Sequence, residues 1–363
     1  MPRQAASSME DAFLQTILDH PDDDMPRLVF ADWLEEHGNP RGAFIRLQCQ
    51  RAKLTQHDPH WKAMLSEESA LLKQFEAEWS KPILRYVEAV QYRRGFVEHV
   101  RVSATKLLKS AERLFRATPV CSIRLERVDR LGEIADCAWL MRVTELDLNR
   151  ELFGSRSLQT LIRSEHCRSL RVLRLDRCAL QVASIQMLAS APNLHALQTL
   201  TLTGNALTEE TAASLVNSPH LTSLRELNLS DNQLESAGAI ALSASPTFQL
   251  ARLSLANNRI GNEGLGAIAR CPQLAHLQYL DLEKNAIANL GLEALIQSPH
   301  IGQLEYLNLA QNHISTRGVQ LLTDSPLLAG LSYLNLRNNE IDKATALTVP
   351  QRLRTPKMRE LLF

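Results

Sequence analysis

The apolar positions of this chain fall into a frame that recurs seven times. The segments LRVLRLDRCAL, LQTLTLTGNAL, LRELNLSDNQL, LARLSLANNRI, LQYLDLEKNAI, LEYLNLAQNHI and LSYLNLRNNEI share LxxLxLxx(N/C)x(L/I). Their Asn or Cys falls at Cys178, Asn205, Asn232, Asn258, Asn285, Asn312 and Asn339, at steps of 27 or 26 residues. The LxL alternation has the period of two of a strand with one buried face. Six residues after the Asn comes Gly238, Gly264, Gly291 or Gly318, and 14 after it Pro192, Pro219, Pro246, Pro272, Pro299 or Pro326. Between them the apolar spacing is helical, as in Leu265 with Ile268 and Val319 with Leu322. A glycine there permits close approach of neighbouring helices, and the proline stops each helix and returns the chain to the next strand. Each unit is therefore predicted to be strand, turn, helix, loop. The Asn side chain is expected to serve backbone groups of the turn and to form a ladder along the stack.

Weaker units precede these. VTELDLNRELF puts Glu151 at the Asn position, and CSIRLERV and VEHVRVS read as two shorter strands, because Val102, Leu125 and Leu148 lie 23 residues apart in each case. Degenerate units of this kind mark the start of a stack. The frame resembles the ribonuclease-inhibitor class of leucine-rich repeats over about residues 140 to 345. That resemblance implies an α/β solenoid, a horseshoe with a parallel sheet on the concave face and helices on the convex face.

Residues 8 to 80 lack the repeat. Met9, Phe13 and Ile17 share one helical face with Ser8 as the expected cap; Asp22, Asp23, Asp24 and Pro26 mark a turn into a second helix, Arg27 to His37, closed by Gly38. A third helix is predicted from about Arg41 to Leu54 and a fourth from about Pro59 to Trp79. The string HPDDDMPRLVFADWLEEHGNPRGAFIRLQ is similar to the short repeat-companion domain that precedes degenerate repeats in large-genome bacteria, a resemblance that implies architecture only. The expected organisation is a small all-helical domain at 1–85 and a solenoid at 86–345, degenerate to about 140 and regular after it. Residues 346–363 would form a C-terminal cap, with Leu347, Val349, Leu353, Met358, Leu361 and Phe363 as the apolar residues of the closing segment.

Composition sharpens this division: 10 leucines occur in the first 100 residues and 53 in the remaining 263. The 40 basic and 40 acidic residues cancel overall, which argues against general nucleic-acid or membrane coating. Locally the net charge is −5 over residues 1–90 and +7 over residues 91–180, so the helical domain is expected to dock on the basic start of the solenoid. The six cysteines show no paired spacing, no acidic cluster matches a metal-binding motif, and no nucleophile or phosphate-binding signature occurs. No catalytic residue, metal or cofactor is expected. The absence of an apolar leader and of any 18-residue apolar run places the chain, as an expectation, in the bacterial cytoplasm and off the membrane.

What remains is a surface. Residues alternating with the buried leucines point into the concavity. The position before the first Leu of LxL reads His99, Ser122, Glu145, Val172, Thr199, Glu226, Arg252, Tyr279, Tyr306, Tyr333; the central position includes Arg101, Arg124, Arg174, Asp281, Asn308 and Asn335. Tyrosine and arginine dominate interface energetics. The expected function is a non-enzymatic scaffold or sensor, monomeric by itself, that binds a protein partner through Tyr279, Tyr306, Tyr333, Asp281, Asn308 and Asn335. The alternatives are an anion or nucleic-acid binder using Arg101, Arg124 and Arg174, or a regulator of a GTPase, signalling or defence effector. Nucleic acid is the less favoured partner.

Overall fold

The computed structural model describes residues 2–55, 58–245 and 248–363, with side chains from residue 9 onward. The chain divides into two compact units, Met1–Asp147 and Leu148–Phe363.

The first unit begins with four helices: α1 (Pro2–Asp19), α2 (Met25–Glu36), α3 (Arg41–Arg51) and α4 (Trp61–Leu84). Because α1 starts at Pro2, Ser8 lies inside that helix and does not cap it. Strands β1 (Ala89–Arg93) and β2 (Phe96–Ser103) follow, then α5 (Ala104–Ala117), β3 (Ser122–Glu126), α6 (Leu131–Ala135) and β4 (Glu145–Asp147). Strands β2, β3 and β4 are parallel, with His99 opposite Ser122 and Ser122 opposite Glu145, the register that the 23-residue spacing anticipates. Strand β1 was not anticipated. It pairs antiparallel with β2 through a two-residue turn at Arg94 and Gly95, whose φ values of +50° and +85° are the left-handed conformation that tight hairpins demand.

That hairpin is the surface on which the helices dock. Ile17, Phe30, Ala31, Leu34, Ile45, Cys49 and Phe96 form one buried cluster. At Gly95 the backbone approaches α3 so closely that a Cβ would lie 2.7 Å from the Ile45 Cα, and the Gly95 N–H donates to Gln48 Oε1 at 2.7 Å. The docking has a polarity that net charge alone does not reveal. At its centre the arginine belongs to the helices and the carboxylate to the strand: Arg27, fully buried, donates to Glu98 at 2.6 Å. The expected sense, acidic helix against basic strand, holds at the periphery, where Arg94 lies 3.6 Å from Asp24. Arg46 pairs with Asp32 and Glu35 across α2 and α3, but these groups are largely solvated and add little.

Among the described residues the second unit holds eight strands: β5 (Val172–Arg174), β6 (Thr199–Thr201), β7 (Glu226–Asn228), β8 (Arg252–Ser254), β9 (Tyr279–Asp281), β10 (Tyr306–Asn308), β11 (Tyr333–Asn335) and β12 (Glu360–Leu362). All neighbours from β5 to β12 pair parallel, and the central leucines Leu280, Leu307 and Leu334 are fully buried. The connecting helices are α7 (Ser155–Arg163), α8 (Val182–Ala189), α9 (Glu209–Val216), α10 (Glu235–Ser243), α11 (Gly261–Ala269), α12 (Asn289–Ile296), α13 (Thr316–Thr323), α14 (Pro326–Gly330), α15 (Lys343–Thr348) and α16 (Pro350–Leu353). Pro192 and Pro272 each open a one-turn 3-10 helix and Pro326 opens α14; Pro246 lies outside the described residues.

The ladder forms as expected. Asn205 Oδ1 accepts from Cys178 N and Leu180 N at 2.9 and 3.1 Å, Asn232 Oδ1 accepts from Asn205 N at 2.9 Å, and the pattern continues from Asn258 to Asn285 to Asn312. Cys178 keeps half of the role, its thiol donating to Leu148 O at 3.1 Å. The residue before each ladder position, Arg177, Gly204, Asp231, Asn257, Lys284, Gln311 or Asn338, has φ between +54° and +69°, a left-handed turn whose cost the ladder bonds offset. The glycines are tight where expected: a Cβ on Gly264 would lie 2.9 Å from Ala239 Cβ of the preceding repeat, and one on Gly291 would lie 2.8 Å from Asn262 Oδ1. In the closing segment Leu353 and Val349 are buried, but Leu347 is 80% exposed and contributes nothing to the core.

Candidate interaction surface

On β9, β10 and β11 the buried leucine is flanked by two residues on the opposite face, a tyrosine and an Asp or Asn. Parallel pairing sets Tyr279 opposite Tyr306 and Tyr306 opposite Tyr333. The rings stack nearly face to face, with centroids 4.0 Å apart at 13° and 4.1 Å apart at 5°. Those separations are shorter than the spacing of about 4.8 Å between strands, so the rings lean together. Free aromatic pairs prefer an offset or edge-on arrangement; here the sheet imposes the parallel one. Burial within the stack pushes the Tyr279 and Tyr306 phenols upward, and for Tyr306 the neighbouring tyrosine hydroxyls add to the effect. The hydroxyls are therefore protonated throughout the physiological range.

The stack does not end at tyrosine. The Arg252 guanidinium on β8 lies 4.0 Å from the Tyr279 ring centroid, in the geometry of a cation over an aromatic face. On its other side it meets Glu226 of β7 at 3.6 Å. The column therefore reads carboxylate, guanidinium and three phenols across five neighbouring strands.

The second column behaves differently from the outward amides that alternation predicts. Asp281 Oδ1 accepts from Glu283 N, Asn308 Oδ1 from Ala310 N and Asn335 Oδ1 from Arg337 N, each at 3.1 Å. These side chains hold the turn that leaves each strand, as Asx turns do. Asn308 and Asn335 are accordingly only 4% and 9% exposed, and Asn308 Nδ2 is already engaged by Glu283 at 3.1 Å. Burial raises the Asp281 carboxyl from its ordinary value. What faces outward is the tyrosine column.

The arginines are placed as follows. Arg101 on β2 lies 3.3 Å from Glu126, and Arg124 on β3 lies 3.6 Å from Asp147. Arg174 is half-buried on β5 of the second unit and also has partners. In the first unit, a cavity of about 420 Å³ is lined by residues that include Arg93, Arg94, Glu98, Cys121 and Glu145. Its charges are already matched: Arg93 meets Glu145 at 2.8 Å and Arg94 meets Glu98 at 3.0 Å. Sequence reasoning found neither this cavity nor the Glu226–Arg252 extension of the stack. The only available signal was that Arg252 and Glu226 precede Tyr279 in the same column.

Cys49, Cys121 and Cys167 do not have the character of nucleophiles. Burial pushes the Cys49 and Cys121 thiols up to about 11 and the Cys167 thiol up to about 12. A thiol raised this far stays protonated at neutral pH, and the thiolate is the reactive form. Alkylation of the native chain with iodoacetamide, followed by mass spectrometry, is expected to modify Cys49, Cys121 and Cys167 at least about tenfold more slowly than a free thiol. Rapid labelling of Cys121 would contradict this. Among the described residues no group of three or more His, Cys, Asp or Glu is placed to hold a metal ion, and no helix is long and apolar enough to cross a membrane.

The family model for the leucine-rich repeat matches residues 220–243, 250–269, 273–295 and 304–322, all within the regular repeats that carry the tyrosine column. The chain thus contains leucine-rich repeats. No curated protein matches it. Among solved structures it is similar to an internalin from Listeria monocytogenes, with 19% identity over 67% of this chain and 72% of that one and a TM-score of 0.40. It is also similar to a chain of the Rad7 and Elc1 complex of yeast, with 14% identity over 91% and 88% and a TM-score of 0.48. A chain of a TLR13–ssRNA13 complex is 17% identical over 62% of this chain, which spans 36% of that one, with a TM-score of 0.39.

Proposed function

We propose that this leucine-rich-repeat protein is a non-enzymatic interaction scaffold or sensor that binds a protein partner across the concave strand face of repeats of the ribonuclease-inhibitor class. In this reading residues 1–85 are the helical companion domain, which caps the first strands, residues 346–363 close the other end, and the protein acts in the cytoplasm. The observation that carries the proposal is the stack of Arg252, Tyr279, Tyr306 and Tyr333. Four planar groups locked against one another offer a large contact edge, and little side-chain entropy is left to lose on binding. Arginines near the other end are the weaker candidates for an anionic partner, because a phosphate would have to displace the carboxylates that already face Arg101 and Arg124.

The test is a paired measurement of stability and affinity, with the partner identified by co-purification from native lysate. Tyr306→Ala is expected to cost the fold only about 1 kcal/mol, since the side chain is partly exposed and packs on its lateral neighbours rather than in the leucine core. It should weaken partner binding by about 2 kcal/mol or more, roughly 30-fold. Arg101→Ala and Arg124→Ala should leave the affinity within about twofold and its salt dependence unaltered. Loss of binding confined to the arginine variants, falling steeply with salt, would move the site to the first unit and overturn the proposal.

A further inference from the structure

The two ends of the tyrosine column are not equivalent. At the β8 end the outer face of Tyr279 is covered by the Arg252 guanidinium, which in turn meets the Glu226 carboxylate, so carboxylate, guanidinium and phenol follow one another. At the β11 end the outward face of Tyr333 meets no ring or guanidinium among the described residues; its stacking partner is Tyr306, on the other side. A carboxylate is present there, on the strand immediately beside Tyr333 rather than two strands away as Glu226 is from Tyr279. Glu360 on β12 is paired in register with Tyr333, so its side chain leaves the same face of the sheet. It is exposed, and among the described residues it makes no ion pair.

The geometry points to a guanidinium supplied in trans: an arginine of the protein partner enters from the exposed side, stacks on the β12-facing side of Tyr333 and pairs with Glu360, making the same two kinds of contact that Arg252 makes with Tyr279 and Glu226. This rests on the interaction reading of the column and specifies the chemistry of its contact. A guanidinium is the group that fits. It is planar and stacks on a phenol, and its fork of donors engages a carboxylate in the same plane, whereas an ammonium does the second without the first. Charge selects in the same direction, because Glu360 makes no ion pair among the described residues while Glu305 already has Lys357 at 3.2 Å.

The full-length chain, with its tyrosine ring protons observed by NMR, is titrated with the capped tripeptides Gly-Arg-Gly, Gly-Lys-Gly and Gly-Trp-Gly. The arginine peptide is expected to move the Tyr333 resonances saturably while those of Tyr279, already covered, stay in place. The lysine peptide should bind at least about threefold more weakly. Glu360→Gln, an exposed and isosteric change, should weaken the arginine peptide by about threefold or more without altering the melting temperature. Equal responses to arginine and lysine, a stronger response to tryptophan, or indifference to Glu360→Gln would each overturn the assignment. The natural partner separates this from the wider proposal. If Tyr306→Ala abolishes its binding and Glu360→Gln does not change it, the interaction surface stands and the guanidinium site falls.

Discussion

Replacing Glu98 by alanine is expected to destabilise the first unit by about 3–5 kcal/mol, the cost of leaving a buried charge without its partner. Arg27 is fully buried, donates to Asp23 O at 2.9 Å and to Glu98 at 2.6 Å, and its Nε has no partner. Among the described residues Glu98 is its only carboxylate partner, and the same carboxylate receives Arg94 at 3.0 and 3.2 Å. Alanine therefore orphans one guanidinium in the interior and loosens a second at its edge. Glu98→Gln keeps the shape and an acceptor and should cost less. Arg27→Met combined with Glu98→Leu should recover much of the loss, since an apolar pair removes the desolvation penalty along with the attraction. Hydrogen exchange of amides in α2 and β2 reads the effect locally. A loss under about 1 kcal/mol for Glu98→Ala would show that water reaches Arg27 and that the pair does not hold the helices on the hairpin.

Asn285→Ala is expected to cost a similar amount, about 3–5 kcal/mol, through a different mechanism. Asn285 is completely buried. Its Oδ1 accepts from Asn258 N and Ile260 N at 3.0 and 3.2 Å, and its Nδ2 donates to Leu255 O and Glu283 O at 2.9 and 3.1 Å. Alanine leaves the Asn258 and Ile260 amides of the preceding repeat unpaired in a dry interior, at about 1–3 kcal/mol each before relaxation, while Leu255 O keeps the Asn258 Nδ2 donor at 3.0 Å. Asn285→Cys is the informative companion. Cys178 shows that a thiol fits this position and donates to the carbonyl 30 residues before it, at 3.1 Å, but a thiol is a poor acceptor for the two amides. Cysteine should fall between asparagine and alanine in a denaturant titration. If alanine cost less than about 1 kcal/mol, the ladder would be decoration on a stack held by leucine burial alone.

Much of the second unit could be read in advance because a repeat converts sequence offset into spatial adjacency. Once the step is 27, residues one step apart must be neighbours on adjacent strands, and Tyr279, Tyr306 and Tyr333 stand side by side without further information. The same logic placed the asparagines, the glycines and even the degenerate strands around Val102 and Leu125, spaced by 23. It failed where a side chain had a competing local use. Alternation put Asn308 and Asn335 outward, but a short amide beside a tight turn bonds to the backbone two residues on, and that bond draws it under cover.

The first unit has no such offset. Arg27 and Glu98 are separated by 71 residues, and nothing in either segment signals the other. The hairpin of β1 and β2 turns on Arg94 and Gly95, where Asn-Gly would have been a plainer signal. The sequence by itself determined the solenoid, the number and register of its regular strands and the row of tyrosines, because these follow from periodic burial and a constant step. Only the tertiary structure decided that the helices lock onto the hairpin through a buried arginine–glutamate pair, and that Arg252 with Glu226 completes one end of the tyrosine stack while Glu360, at the other, makes no ion pair among the described residues. Those outcomes depend on the rotamers and charges of particular neighbours, which no period encodes.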